Sequence, residues 1–275
     1  MHFFAIAAAR RWLRTLALMN EPPSIATQVL EAWGAKVTPL STSLKEESDL
    51  LAELDGVRLL VEEKTKFDDP ADVQARDAAL ASGAAHGSSL PLRHNNRISG
   101  IVRKATKQLS STGADIEHDL RVLWFTGVGF DAQAKHFQFI STLYGSTRIF
   151  ELDKPQMREC YFFRNSDFYR YGDCLDGAVA AYLSGNTVTV KLCLNPYSQA
   201  WEALRDSPYA RNFKLGLVDP VAEEAAGEAY IADTELPRSN EQAIIRFLEK
   251  KYGLKMAHKM DMNMASAVVR VPHEG

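Results

Sequence analysis

Residues 49–66 read DLLAELDGVRLLVEEKTK, and the reading of the fold starts there. Asp49 opens a short apolar run, Leu50 to Leu54. Asp55-Gly56 is a two-residue turn that tolerates positive φ, the strongest short-range signal for a β-hairpin. The return run, Val57 to Lys66, carries Leu59, Leu60 and Val61 and continues into Glu62-Glu63-Lys64. Alternate residues of a strand share a face, so Glu62 and Lys64 point one way, about 7 Å apart, and Glu63 points the other. An acid on the first strand, with an acid and a lysine on one face of the second, makes a seat for a metal ion and an attacking water.

Upstream, Ser24 follows Pro22-Pro23 and caps a helix whose Ile25, Val29, Ala32 and Trp33 recur at helical spacing until Gly34. Residues 1–18 hold Arg10, Arg11 and Arg14 and no acid. They read as a peripheral helix or as a start upstream of the true one at Met19, and the composition also fits an organelle presequence. Downstream, Asp69 caps a helix from Pro70 over 71–81. Residues 82–97 read as a long surface loop, and Ser99 as the cap of a helix with Ile101, Val102, Ala105 and Leu109 inward. The span 78–114 contains no acid but holds Arg93, Arg97, Arg103, Lys104 and Lys107. Beside the hairpin, these basic residues become candidates for phosphate contact as well as for a solvated face. Leu120 to Thr126, LRVLWFT, is an apolar run expected of a strand buried on both faces.

The rest of the chain alternates strands with turns and helices. Strands are expected at 146–152, 159–163, 177–183 and 187–194, and a helix-like stretch at 198–206. Residues 215–237 hold six acids and no Lys or Arg, which reads as a solvated loop or short-helix region. Ser239 with Gln242 forms a capping box for a helix through Lys251, closed by Gly253. A last short strand is expected at 267–271.

A formal net charge of −3 argues against a protein coated in basic surface but leaves room for a local basic groove. Cys160, Cys174 and Cys193 match no zinc spacing and suggest a reducing compartment. With no run of 18 apolar residues, no membrane span is expected, and the expected location is cytoplasmic.

Acid, hairpin, Glu-x-Lys and a basic helix together resemble the PD-(D/E)xK, or restriction-endonuclease-like, superfamily. The resemblance implies an α/β fold: a helix, a mixed sheet with the hairpin, a second helix and a further strand, over 20–155. Residues 1–19 would lie outside that core, and 156–275 would form a C-terminal α+β extension. Matched position by position, Asp49 is the first acid, Glu62 the second and Lys64 the lysine. Glu31 stands where many members carry a further acid on the first helix, and Gln108 where several place a glutamine. The family's proline is here Ser48, and the long interval from Lys66 to Ile98 implies an inserted helix. The implied activity is Mg²⁺- or Mn²⁺-dependent phosphodiester hydrolysis, as a DNA nuclease of restriction, repair or defence type. Asp49, Glu62 and Glu31 would hold the metal, and Lys64 and Gln108 would complete the catalytic set. Hard oxygen ligands suit Mg²⁺, which keeps several waters. A homodimer is compatible with the reading.

Two rivals follow from the residues. One is a nucleic-acid-binding protein that keeps this fold without cutting. The other uses Gly127-x-Gly129-x-x-Ala132, which follows a strand, opens a helix and precedes acids at Glu151 and Asp153, as in a dinucleotide fingerprint. Against it, Phe130 and Asp131 would place bulk and negative charge where a pyrophosphate should sit. Finally, 160–176, CYFFRNSDFYRYGDCLD, interleaves aromatics with Arg164 and Arg170, as a base-stacking surface or as core plus loop.

Overall fold

The Asp55-Gly56 turn closes the expected hairpin in a computed structural model that describes residues 23–40, 48–152, 154–260 and 264–270. Both turn residues have positive φ, 50° and 79°. Strands β2 (Leu50–Leu54) and β3 (Val57–Lys66) pair antiparallel, with Leu54 opposite Val57 and Leu50 opposite Val61. A shorter β1 (Lys36–Pro39) joins the far edge of β2, also antiparallel. On the other edge, β5 (Leu120–Gly127) runs parallel to β3, and its side chains are buried on both faces, as the apolar run required.

The sheet does not end there. β8 (Gly177–Ser184) pairs parallel with β5, β9 (Thr187–Leu194) returns antiparallel, and β10 (Leu217–Val218) adds an edge, giving the order β1-β2-β3-β5-β8-β9-β10. The protein is therefore α/β, with one mixed seven-stranded sheet that takes strands from both sides of residue 155. The strand expected after Leu120–Thr126 does not extend this sheet. β6 (Thr147–Glu151) belongs to a second, four-stranded sheet with β7 (Lys154–Tyr161), β11 (Ala229–Ile231) and β12 (Ala257–Met260).

Helices cover both faces of the large sheet, and the parity of β3 sorts them. Leu59 and Val61 face α1 (Ile25–Ala32), which buries Val29 and Leu30 against them. Ser24 Oγ caps α1 by accepting from Thr27 N at 3.1 Å. Leu60 faces α3 (Asn96–Asp115), which buries Ile98, Val102, Ala105 and Leu109. α4 (Ala132–Tyr144) packs on the same side, with Phe139 stacked on Phe125 at 4.3 Å between centroids.

Between β3 and α3, the chain forms α2 (Pro70–Ala81), capped as expected by Asp69, whose Oδ1 accepts from Ala71 N at 3.0 Å. The expected loop 82–97 instead contains β4 (His86–Pro91), which pairs antiparallel with β13 (Met264–Val269) from the far end of the chain. α3 begins earlier than Ser99. Asn95 is its cap, its Oδ1 accepting from Arg97 N and Ile98 N at 3.0 and 3.2 Å. Ser99 instead turns inward, and its hydroxyl donates to Asp167 Oδ1 at 2.9 Å.

The acidic stretch 215–237 is likewise not plain solvated loop. It holds β10, α8 (Pro220–Ala225) and β11, and Glu223 accepts from the Tyr161 hydroxyl at 2.6 Å. Between β7 and α8 lie α5 (Asp167–Arg170), α6 (Trp201–Arg205) and α7 (Pro208–Phe213). α9 (Glu241–Tyr252) is capped by Asn240, not Ser239: its side chain accepts from Ala243 N at 3.2 Å, and Gly253 ends the helix at φ 65°. Residues 1–19, with the basic N-terminal stretch, lie outside the described residues, as does Asp153. No helix among the described residues is long and apolar enough to cross a membrane.

Candidate functional site

One step beyond the last hairpin pair, Asp49 comes opposite Glu62. Cross-strand neighbours share a face, and here it is the face of Leu60, Leu123 and Phe125, under α3. Asp49 is fixed at the strand entrance by Glu63 N, which donates to its Oδ2 at 2.7 Å. On the other side of the entrance, Ser48 N donates to Thr112 Oγ1 of α3 at 2.6 Å. The hairpin is thereby tied directly to α3.

Glu62 is fully buried. Its Oε1 accepts from Lys64 Nζ, while its Oε2 has no hydrogen-bond partner among the described residues. Burial pushes the Glu62 carboxyl up to about 7, and the negative charge of Asp49 pushes the same way against the hydrogen bond and charge of Lys64. A buried carboxylate oxygen without a partner costs on the order of 1–3 kcal/mol. A cation placed between Asp49 and Glu62 would remove both that cost and the repulsion between the two acids. Glu63 behaves differently. It points through the opposite face, where its Oε1 accepts from Ala26 N at 3.3 Å in the first turn of α1.

The phase of α3 decides which of its residues look toward this pair. At about 100° per residue, Gln108 and Lys104 follow Thr112 at successive four-residue steps along one flank. Arg97 and the half-buried Ile101 lie on that flank too. Ser99 and Thr106 occupy the other flank, toward Asp167. Of the five expected phosphate contacts, the helical phase therefore gives Arg97 and Lys104 the flank that faces the hairpin. Arg103 and Lys107 stand on the outer surface of α3, and Arg93 lines a cavity of 330 Å³ together with Arg97, His94 and Gln138.

Glu31 is not brought to the site. It is exposed near the end of α1, on the face of the sheet opposite Glu62. The three-acid arrangement fails for a topological reason, since α1 packs on the odd-numbered residues of β3. No group of three or more His, Cys, Asp or Glu able to hold a metal occurs among the described residues. A site here would rest on Asp49 and Glu62 alone, which suits Mg²⁺ because that ion fills most of its octahedron with water and phosphate oxygens.

Lys66 escaped the sequence reading. It shares the face of Glu62 and Lys64, and burial, together with the charges of Lys135 and Arg97, lowers its pKa. The period-two pattern that selected Lys64 also selects Lys66. With Arg97, these two lysines form a positive rim beyond the two acids.

The Gly127-x-Gly129 turn is already filled. Asp68 Oδ2 accepts from Phe130 N at 2.8 Å and its Oδ1 from Asp131 N at 3.4 Å, and Lys135 Nζ pairs with the same carboxylate. Burial raises the Asp68 carboxyl, but the hydrogen bonds from Lys135 and Phe130 N outweigh it, and the net shift is downward. The chain's own anion thus sits at the N-terminus of α4, where a pyrophosphate would have to go. The strand after α4 also leaves this sheet, so the dinucleotide layout is not formed. Comparison with protein-family models, with characterised proteins and with solved structures returned no match.

Proposed function

We propose that the chain is a metal-dependent phosphodiesterase of the PD-(D/E)xK kind, acting on nucleic acid and on DNA in the first instance. The observation that carries this reading is Glu62: a buried carboxylate beside Asp49 and Lys64, with one oxygen unpartnered among the described residues. The order of elements supports it, with α1, the antiparallel β1-β2-β3, a covering helix α3 and a parallel β5 in the order expected of that core. So does the pairing of charges, two acids for a divalent cation and a basic rim for a phosphate backbone.

Asp49 and Glu62 would hold Mg²⁺ or Mn²⁺. When bound, such an ion lowers the pKa of water and offsets negative charge on the phosphate. Glu62 must be ionised to serve as a ligand, so the site becomes competent as pH rises through about 7, and earlier where a cation favours the carboxylate. Lys64, its side chain 27% exposed and paired to Glu62, would hold a water at its ammonium and face charge developing on phosphorus. Gln108 on the adjoining flank of α3 would orient the same water or a phosphate oxygen. Lys66, Arg97 and Lys104 would receive the strand.

The test is cleavage of plasmid and single-stranded DNA with Mg²⁺ or Mn²⁺. Glu62→Gln and Lys64→Ala should each lower the rate by about 10²-fold or more, with the folded state checked by circular dichroism. Variants that cut as well as the wild type would sink the assignment. DNA binding without cleavage under any divalent cation would move the reading to a non-cutting protein of the same fold.

A further inference from the structure

The cavity of 330 Å³ at the start of α3 is lined by Arg93, His94, Asn95, Asn96 and Arg97 from the chain entering the helix, and by Gln138 of α4. No carboxylate lines it. It adjoins the positive rim of the hairpin site. Burial, then the charges of Lys135 and Arg97, lower the pKa of Lys66, so Arg97 stands within electrostatic reach of that lysine. Lys66 is four residues from Glu62 on the same face, about 13 Å along β3. The cavity is therefore a few nucleotides from the proposed metal seat, measured along a strand.

Hydrogen bonds to α4 hold the cavity wall. Asn95 N donates to Thr142 Oγ1 at 3.0 Å, and Asn95 Nδ2 to Gln138 Oε1 at 3.4 Å. Gln138 Nε2 donates to Pro91 O at 2.9 Å. Arg93 and Arg97, on either side of Asn95, are thus presented from a fixed backbone. The first turn of α3 has already spent two backbone donors, because Asn95 Oδ1 accepts from Arg97 N and Ile98 N. What the cavity offers an anion is chiefly side-chain donors.

Those donors are not engaged elsewhere. Arg93 forms no hydrogen bond, ion pair or ring contact among the described residues. The Arg97 guanidinium reaches only Asp69 Oδ2, at 3.8 Å, with both side chains exposed. Burial lowers the pKa of His94, so its ring adds no charge at neutral pH. The carboxylates of the surrounding elements have partners of their own. Asp68 is held by Lys135 and Phe130 N, and Asp69 Oδ1 caps α2. Asp167 belongs to the 160–176 stretch, whose Tyr161, Phe162, Phe163 and Phe168 enter the core. It takes the Ser99 hydroxyl at 2.9 Å and lies 3.5 Å from Arg170. Asp72 is exposed on α2, and Asp131 is seven residues from Gln138, about 10 Å along α4. Charge-assisted hydrogen bonds act at contact, and exposed charges about 8–10 Å away are largely screened at physiological salt. Two guanidiniums that share a cavity without a carboxylate repel each other. Phosphate oxygens between them remove that repulsion and match their planar forks.

We propose that this cavity binds one phosphate of a nucleic-acid strand, held by Arg93 and Arg97 with the Asn96 amide beside them. The choice of ligand rests on the phosphodiesterase reading. The phosphate is either internal to the strand or its 5′ terminus. A strand anchored there meets Glu62 at a set distance from the held phosphate.

Fluorescence anisotropy of the full chain in EDTA tests it, with short single-stranded DNA ending in a 5′-hydroxyl or a 5′-phosphate. Arg93→Gln and Arg97→Gln should each weaken binding about tenfold and lower the slope of log affinity against log salt by about 1. Arg103→Gln, on the outer surface of α3, should do neither. An equal loss for both strands assigns an internal phosphate. A 5′-phosphate that tightens wild-type binding at least about tenfold, but not that of Arg93→Gln, assigns the terminus. The proposal is overturned if neither strand binds, if Arg93→Gln of native melting temperature binds both like the wild type, or if Arg103→Gln costs as much as Arg93→Gln. Cleavage, read separately with Mg²⁺, distinguishes this site from the metal seat. Glu62→Gln should lose cleavage while its binding in EDTA still depends on Arg93. Arg93-dependent binding without cleavage by the wild type would sink the phosphodiesterase reading and leave the cavity standing. Glu62-dependent cleavage with Arg93-independent binding would sink the cavity alone.

Discussion

β3 and β5 run side by side and parallel, with Lys66 in register with Gly127, yet their C-terminal regions treat charge in opposite ways. At the end of β5, every obvious demand is met from within the chain. The helix N-terminus has an anion, Asp68; the anion has a cation, Lys135; and Lys135 also donates to Val128 O at 2.8 Å. On β3, Glu62 is equally buried but half satisfied, with a second acid beside it. The lesson concerns how to tell a scaffold from a site. Both look like chemistry in sequence, glycines before a helix in one case and Glu-x-Lys in the other. Only the β3 region leaves a buried carboxylate oxygen without a partner among the described residues, and on that difference the proposed metal seat rests.

Breaking the closed region should have the larger effect on stability. Asp68→Ala leaves the Lys135 ammonium buried, with side-chain exposure of 6%, and without its carboxylate. The expected loss is about 3–5 kcal/mol, read from urea unfolding. The sign with pH is fixed by the lowered folded pKa of Asp68. Its contribution is present above 3.8, its unfolded value, and is lost as pH falls below that through the folded value. The stability gap between wild type and Asp68→Ala should therefore narrow in acid.

The open region should respond the other way. The folded pKa of Glu62 is raised, so between 4.5 and about 7 the folded chain keeps a proton that the unfolded chain releases. Stability contributed by this group falls as pH rises across that window, and the cost is complete above it. Glu62→Gln should be more stable than wild type at pH 8, by about 1–3 kcal/mol, and no more stable at pH 4.5. Millimolar Mg²⁺ should raise the melting temperature of the wild type at pH 8 but not that of Glu62→Gln. A variant less stable than wild type at pH 8, or a Mg²⁺ response that survives it, would separate the raised carboxyl from the metal seat.

The smallest effect is expected one residue along. Glu63→Ala removes an acceptor from the first turn of α1, worth about 0.5–1 kcal/mol, and should leave any Mg²⁺ response intact. If Glu63→Ala abolished that response, the division of the two acids between opposite faces would be wrong.

Much of this comparison was legible along the chain because it is local. The positive-φ turn at Asp55-Gly56, the alternation that separates Glu62 from Glu63, the caps Ser24 and Asp69, and the buried run of β5 each depend on neighbours a few residues away. Errors arose where two local candidates competed or where the partner was distant. Asn95 and Ser99 could each cap α3; Asn95 does so because Ser99 is drawn inward to Asp167. Glu31 has the right residue type on the right helix, but nothing local says which face of the sheet that helix will cover. The loop at 82–97 is a strand only because residues 264–269 arrive to pair with it.

The sequence by itself determined the hairpin, its register and the shared face of Glu62 and Lys64, because strand pleat and turn sterics act over two to four residues. Tertiary structure alone decided that Asp68 fills the anion seat of α4, that α3 meets the hairpin entrance through Thr112, and that Glu62 is buried with one oxygen unpartnered among the described residues. Those outcomes depend on what packs against each group across tens of residues, and burial sets both the charge state of a carboxyl and whether its second oxygen meets a partner.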